Sequence, residues 1–166
     1  MARRPGSEKI DFDSLYRTSR DDLYAYVAGM VRDRAAAEEV TAATFERAFR
    51  RRSSYKPRRG TPRAWLFGIA RNAAYDELRR RGRTEPAAHP EERSAPAADT
   101  TADVAVRRAA LRDALATLSQ DERELVALRF EAGLSGAEAG AVLGISESNV
   151  GTRLSRAVEK LRKAME

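Results

Sequence analysis

The chain has 166 residues, of which 42% are apolar, 34% charged and 7% aromatic, with a formal net charge of +6. That length holds one ordinary domain or two small ones, and the dominance of Ala, Leu and Arg points to an all-α class. With no cysteine, a disulfide framework and a thiolate metal site are excluded, no apolar run approaches the roughly 20 residues that span a bilayer, and the positive charge favours an anionic partner.

Taken in order, the N-terminal segment MARRPGSEKIDF is basic but has no apolar stretch of the secretory type, so a soluble, cytoplasmic protein without membrane insertion is expected. Residues 10–82 then read as three helices. In the first, Leu23, Tyr26, Val27, Met30 and Val31 recur at helical spacing. Asp33 is the expected cap of the second, where Ala37, Val40, Thr41, Thr44, Phe45, Ala48 and Phe49 continue an apolar face. RRSSYKPRRG reads as a loop. Thr61-Pro62 opens the third helix, with a capping hydroxyl followed by proline where its missing N–H does no harm; Trp65, Leu66, Ile69, Ala70, Ala73 and Ala74 supply its buried side, and Trp65 is read as core rather than as a stacking platform.

Charge is unevenly placed. Between Glu46 and Arg83 thirteen Lys or Arg stand against three acids, whereas between Thr84 and Asp103 five acids stand against Arg93 alone. Residues 83–103 contain three prolines and no large apolar side chain, and so read as a flexible acidic linker that cannot bury enough surface to offset the entropy of ordering.

Four further helices are predicted over residues 104–165. Val106 to Leu115 forms the first. Ser119 and Glu122 make a capping box for the second, which carries Leu125, Val126, Leu128 and Phe130 and ends at Gly133; Ser135 and Glu138 make another for the third. Gly144 marks a sharp turn, Ile145 an apolar plug, and Ser146 the cap of a last helix whose stripe is Val150, Leu154, Ala157, Val158 and Leu161. Its other side presents Asn149, Thr152, Arg153, Arg156 and Lys160, giving a helix-turn-helix with donors and positive charge aimed outward, suited to a DNA major groove.

The segments AEEVTAATFERAFRR and YKPRRGTPRAWLFGIARNAAYDELRRR, followed by a linker and by a helix-turn-helix with the LS-x-x-E and LGIS elements, resemble bacterial RNA polymerase sigma factors of the small extracytoplasmic-function group, which retain regions 2 and 4 only. The resemblance implies two small helical domains, a three-helix region 2 and a four-helix region 4. It implies a transcription initiation factor, with no catalytic residue, metal or cofactor. Region 2 would bind the β′ clamp helices of core RNA polymerase and recognise and melt the −10 promoter element. Region 4 would read the −35 element and touch the β flap. An anti-sigma factor, commonly membrane-anchored, would hold the protein until a stress signal arrives. The relative orientation of the two domains is left open.

On the matching positions, Asn72 is the first candidate for −10 recognition, since an amide offers both donor and acceptor to the edge of a base taken out of the stack. Arg71, Tyr75 and Arg79 lie on or near its helical line, and Tyr55, Lys56 and Arg58 precede it in the loop. For the −35 element the candidates are Asn149, Thr152, Arg153, Ser155 and Arg156; arginine suits guanine O6 and N7, and Arg153 matches a position that holds phosphate. Glu38, Glu39, Val40, Phe45 and Phe49 are the candidates for core polymerase. Two departures stand out: Ala42 and Ala43 replace the usual Gln and acid, and Gly151 replaces a frequent Lys or Arg. An enzyme is disfavoured because the one histidine, His89, lies in the linker and no phosphate-binding or metal motif appears. The rival is a stand-alone dimeric helix-turn-helix regulator, which predicts a palindromic operator and binding without polymerase.

Overall fold

The computed structural model describes residues 9–84 and 101–166. Among them are seven α-helices and no strand: α1 Phe12–Val31, α2 Arg34–Arg50, α3 Pro62–Thr84, α4 Ala102–Ala116, α5 Gln120–Val126, α6 Gly136–Leu143 and α7 Glu147–Met165. The expected linker is shorter at both ends, since α3 runs to Thr84 and α4 begins at Ala102. The rest of it, including His89, lies outside the described residues.

Local chemistry sets most of the helix ends. Asp33 accepts from the Ala36 N–H at 3.0 Å and starts α2 directly after Arg32, whose left-handed φ of 50° closes α1. Thr61 accepts from the Ala64 N–H at 3.1 Å. Both expected capping boxes are formed, Ser119 with Glu122 and Ser135 with Glu138. The loop between α2 and α3 contains two short 3-10 turns, Arg52–Ser54 and Pro57–Arg59.

One element departs from the expected pattern. After α5 the chain widens into a π-helical turn, Ala127–Glu131. Its end is closed by the Leu134 N–H reaching back to the Leu128 carbonyl at 3.0 Å around Gly133, at a φ of 65°. The wider turn shifts the helical register, so Phe130, expected among the apolar positions, is exposed. Val158, expected in the α7 stripe, is exposed as well, and Val150 and Ala157 carry the burial on that helix.

Helices α1, α2 and α3 pack pairwise around Leu23, Tyr26, Val27, Leu66, Phe67, Ala70 and Ala74. Each fully buried large side chain contributes about 1.5–3 kcal/mol. Helices α4 to α7 form the second unit, with α7 lying against α4, α5 and α6. The two units are joined: α3 packs on α6 and α1 on the π turn, and one continuous apolar core runs from α1–α3 through Leu125, Leu128, Leu134 and Val150.

Polar contacts fasten the same junction. Arg63 on α3 bonds Asp22 at 2.6 Å, the Thr18 carbonyl at 3.2 Å and Ser19 Oγ at 3.1 Å on α1, and reaches the Ala132 carbonyl beyond the π turn. Thr61 Oγ1 donates to Glu138 Oε1 at 2.9 Å, so the residue that caps α3 is tied to the residue that completes the cap of α6.

Candidate nucleic-acid interface

Helix α3 carries most of the candidate −10 positions. Its buried side faces α1 and α2. Its remaining surface, with the preceding loop, shapes a cleft of about 550 Å³ lined by Tyr55, Lys56, Arg59, Trp65, Arg71 and Asn72 among others. The loop is pinned by the Tyr55 hydroxyl, which donates to the Gly60 carbonyl at 2.9 Å. The Tyr55 ring lies 5.7 Å from that of Trp65. Trp65 is only half buried: it packs against the core with one side and lines the cleft with the other. An aromatic wall, an exposed amide at Asn72 and three cations form an arrangement able to hold an unstacked base and its phosphates.

Not every expected residue joins it. Arg58 is exposed but is not among the residues that line the cleft, whereas its neighbour Arg59 is. Tyr75 and Arg79 lie farther along α3, Arg79 paired with Asp76. The far wall of the cleft comes from the second unit, through Ala141 and Val142 of α6.

The helix-turn-helix is formed by α6 and α7. Gly140 lets them approach closely, since a Cβ there would stand 2.6 Å from the Ile145 carbonyl oxygen. Gly144 makes the turn at a φ of 70°, and Ser146 Oγ accepts from the Asn149 N–H at 3.1 Å. Thr152, Arg153, Ser155 and Arg156 are exposed on α7, whereas Asn149 is half buried. Asn149 Oδ1 accepts from Arg153 Nε at 2.9 Å, and Thr152 Oγ1 donates to the Ser148 carbonyl at 3.2 Å. Lys160 is held by Glu122 at 2.6 Å, which links α7 to α5.

A second cleft, of about 380 Å³, opens between the two units and is lined by Arg71 of α3, by Asp121, Glu122 and Glu124 of α5, and by Arg153 and Arg156 of α7. At its base Glu124, with 5% of its side chain exposed, accepts from Arg71 Nε at 2.5 Å, the Tyr26 hydroxyl at 3.1 Å and the Tyr75 hydroxyl at 3.0 Å. Gln120 adds a bond to the Tyr75 hydroxyl at 3.2 Å. Burial, reinforced by the Glu124 charge, pushes the Tyr26 phenol far above its ordinary range. Burial also raises that of Tyr75, and the hydrogen bond to Glu124 raises Arg71. All three therefore stay protonated donors to one carboxylate.

On α2, Glu38 and Glu39 are exposed, Glu38 beside Arg34 at 3.4 Å. Phe49 is 49% exposed, with the Arg52 guanidinium 4.1 Å from its ring centroid. Val40 and Phe45, grouped with them as contact residues, are instead buried at 7% exposure each. Phe45 meets Phe12 and Tyr16 of α1 edge-on, and Phe49 also lies edge-on to Phe12, at 5.2 Å between ring centroids, while keeping about half of its surface exposed.

These two units correspond to known sequence families. Residues 15–84 match the Sigma-70 region 2 model and residues 108–161 the Sigma-70 region 4 model. The chain is 38% identical over 93% of its length to RNA polymerase sigma factor CarQ of Myxococcus xanthus, covering 88% of that protein. The chain belongs to the extracytoplasmic-function group of sigma-70 factors. It is also 33% identical over its full length to the sigma factor SigL of Mycobacterium tuberculosis, covering 97% of that relative. The sigma factor RpoE of Bartonella quintana, solved with the anti-sigma factor NepR, matches with a TM-score of 0.66 at 25% identity, over 93% of this chain and 96% of that one. CnrH, solved with the cytosolic domain of CnrY, matches with a TM-score of 0.65 at 26% identity, over 92% and 85%. Region 2 of this sigma factor thus falls on α1–α3 and region 4 on α4–α7.

Proposed function

We propose that this sigma factor binds core RNA polymerase and directs it to promoters through both DNA-facing surfaces described above. Asn72, Tyr55, Lys56 and Arg71, joined by Trp65 and Arg59, capture the −10 strand. Thr152, Arg153 and Arg156 meet the −35 duplex, with Arg156 reading a base and Arg153 holding phosphate. Arg58 and Arg79 supply backbone contacts at the rim, Tyr75 supports Arg71, and Asn149 and Ser155 complete the α7 surface. Glu38, Glu39 and Phe49 form the surface for the β′ clamp helices, and region 4 meets the β flap. The activity is initiation rather than catalysis. No described helix is long and apolar enough to cross a membrane; the protein acts in the bacterial cytoplasm, where an anti-sigma factor, itself membrane-anchored, holds it. The observation that carries this reading is the joining of an aromatic-and-amide cleft on region 2 to a helix-turn-helix on region 4 in one chain.

Run-off transcription of fragmented genomic DNA with purified core polymerase tests it. Discrete transcripts sharing two upstream elements at fixed spacing are expected. Asn72→Ala should abolish strand opening, read by permanganate reactivity of unpaired thymines, while leaving −35 binding by the holoenzyme intact; equal loss of both would remove Asn72 from its role. Absence of both transcripts and core binding would instead favour the stand-alone dimeric regulator.

A further inference from the structure

Several polar groups of α7 are already bonded within the protein. Asn149 is half buried, and its Oδ1 accepts from Arg153 Nε at 2.9 Å. Lys160 is drawn to Glu122 at 2.6 Å. Between them stands Thr152, exposed, whose Oγ1 donates to the Ser148 carbonyl four residues back at 3.2 Å. In a helix the threonine rotamer is set by bonds of this kind, because its hydroxyl can reach the carbonyl of the preceding turn.

That bond decides which part of the side chain faces out. The Thr152 Cβ carries two heavy atoms besides Cα, the hydroxyl oxygen and the Cγ2 methyl, set apart by tetrahedral geometry. With Oγ1 held against the Ser148 carbonyl, its proton is used within the helix and the oxygen is set back towards the main chain. The methyl is the group left towards solvent. Its surroundings are open, since even a Cβ added at the adjoining Gly151 would meet nothing within 4 Å. No side chain at position 151 stands beside the methyl to hold a base away.

A hydroxyl and a methyl read different bases. A free hydroxyl serves every base pair, as donor to purine N7, guanine O6 or thymine O4 and as acceptor from adenine N6 or cytosine N4. A methyl has one apolar partner on the major-groove edge, the C5-methyl that thymine alone carries. To donate to a base, Thr152 would have to break its bond to Ser148, whereas contact through the methyl leaves that bond intact.

We infer that Thr152 reads a thymine of the −35 element by methyl–methyl contact, Cγ2 against the thymine C5-methyl, while its hydroxyl serves only as a tie to Ser148. This rests on the reading of α7 as the −35 helix and narrows it to one base and one group on that base.

The test uses the holoenzyme and the promoter mapped by run-off transcription. Thymines of the −35 element, on both strands, are replaced one at a time by deoxyuridine, which lacks only the C5-methyl, and binding is measured by competition. One replacement should weaken binding about fourfold, the size set by one buried methyl. Thr152→Val, which keeps the methyl and loses the hydroxyl, should bind as the unaltered protein does and retain that loss. Thr152→Ser, which keeps the hydroxyl and loses the methyl, should bind the thymine promoter about fourfold more weakly and no longer distinguish thymine from uracil. Both changes remove one contact, so their effects should not add. Weaker binding by Thr152→Val with Thr152→Ser unaffected overturns the inference in favour of the hydroxyl. An element in which no uracil replacement matters overturns it too, as does a uracil loss that Thr152→Ser leaves in place. Arg156→Ala then separates the two claims. If it still weakens −35 binding, α7 meets the duplex and only the thymine contact falls; if it changes nothing, the −35 assignment of α7 falls as well.

Discussion

Two glycines in the helix-turn-helix should respond to alanine with opposite sign. At Gly151 an added methyl meets nothing within 4 Å, so Gly151→Ala contributes the full helix-propensity gain of about 1 kcal/mol. At Gly140 the same gain is opposed by a methyl carbon placed 2.6 Å from the Ile145 carbonyl oxygen and 3.5 Å from the Ser146 carbonyl carbon. These are backbone atoms in the turn, so relief requires moving the peptide that leads into the cap of α7. Overpacking of this kind costs about 1–3 kcal/mol, and because backbone must yield the upper half of that range applies. The net expectation is a loss of about 1–2 kcal/mol. For a chain of this size a kcal/mol shifts the melting midpoint by about 2–4 °C. Thermal melts followed by circular dichroism should therefore show Gly151→Ala a few degrees above the parent and Gly140→Ala a few degrees below it. Equal stabilisation by both would refute the assignment of Gly140 to a steric role at the turn.

Arg156→Ala should cost the holoenzyme about 1–3 kcal/mol at one position of the −35 element, measured by competition among single-base variants; uniform weakening across sequences would make Arg156 a phosphate contact. Glu77 provides a pH test. Hydrogen bonds from Arg80 first and from Arg81 hold its carboxyl below the usual 4.5. A depressed folded-state value means its stabilisation is complete above pH 4.5 and fades as pH falls through the folded-state value. Urea midpoints of the parent and Glu77→Gln should differ at neutral pH and converge in acid; a gap that persists at the lowest pH would show that the side chain acts by packing alone.

The helices were legible because their signals are local. The Asp33 and Thr61 caps and the two capping boxes each lie within four residues of the groups they satisfy, and all are formed. Phe67, one turn before Ala70 and two before Ala74, shares the buried side of α3 and carries the same periodic signal. Phe130 stands among the apolar residues of its segment yet is exposed, and a 3.6-residue period does not anticipate the π turn that carries it. The junction between the domains left no periodic trace. Glu124, in QDERELV, looks like any acid on a short helix, and its partners are 49 to 98 positions away. Val40 and Phe45 belong both to the apolar face read from the spacing and to the polymerase candidates implied by the resemblance, and their burial follows the spacing. Arg59 differs from Arg58 only by the turn of a 3-10 segment.

The pairing of Arg71 with Glu124 bears on how promoter affinity varies with ionic strength. A cation that meets a phosphate from free solution releases the counterions condensed on the DNA, and each such contact steepens the salt dependence. If Arg71 meets a promoter phosphate, it exchanges one fixed anion, the Glu124 carboxylate of its own chain, for another. The Glu124 carboxylate so released would take up screening ions of its own, so that part of the entropy gained at the duplex would be lost at the protein. Counting phosphate contacts from the salt slope of the intact chain would then give fewer than DNA protection footprints reveal.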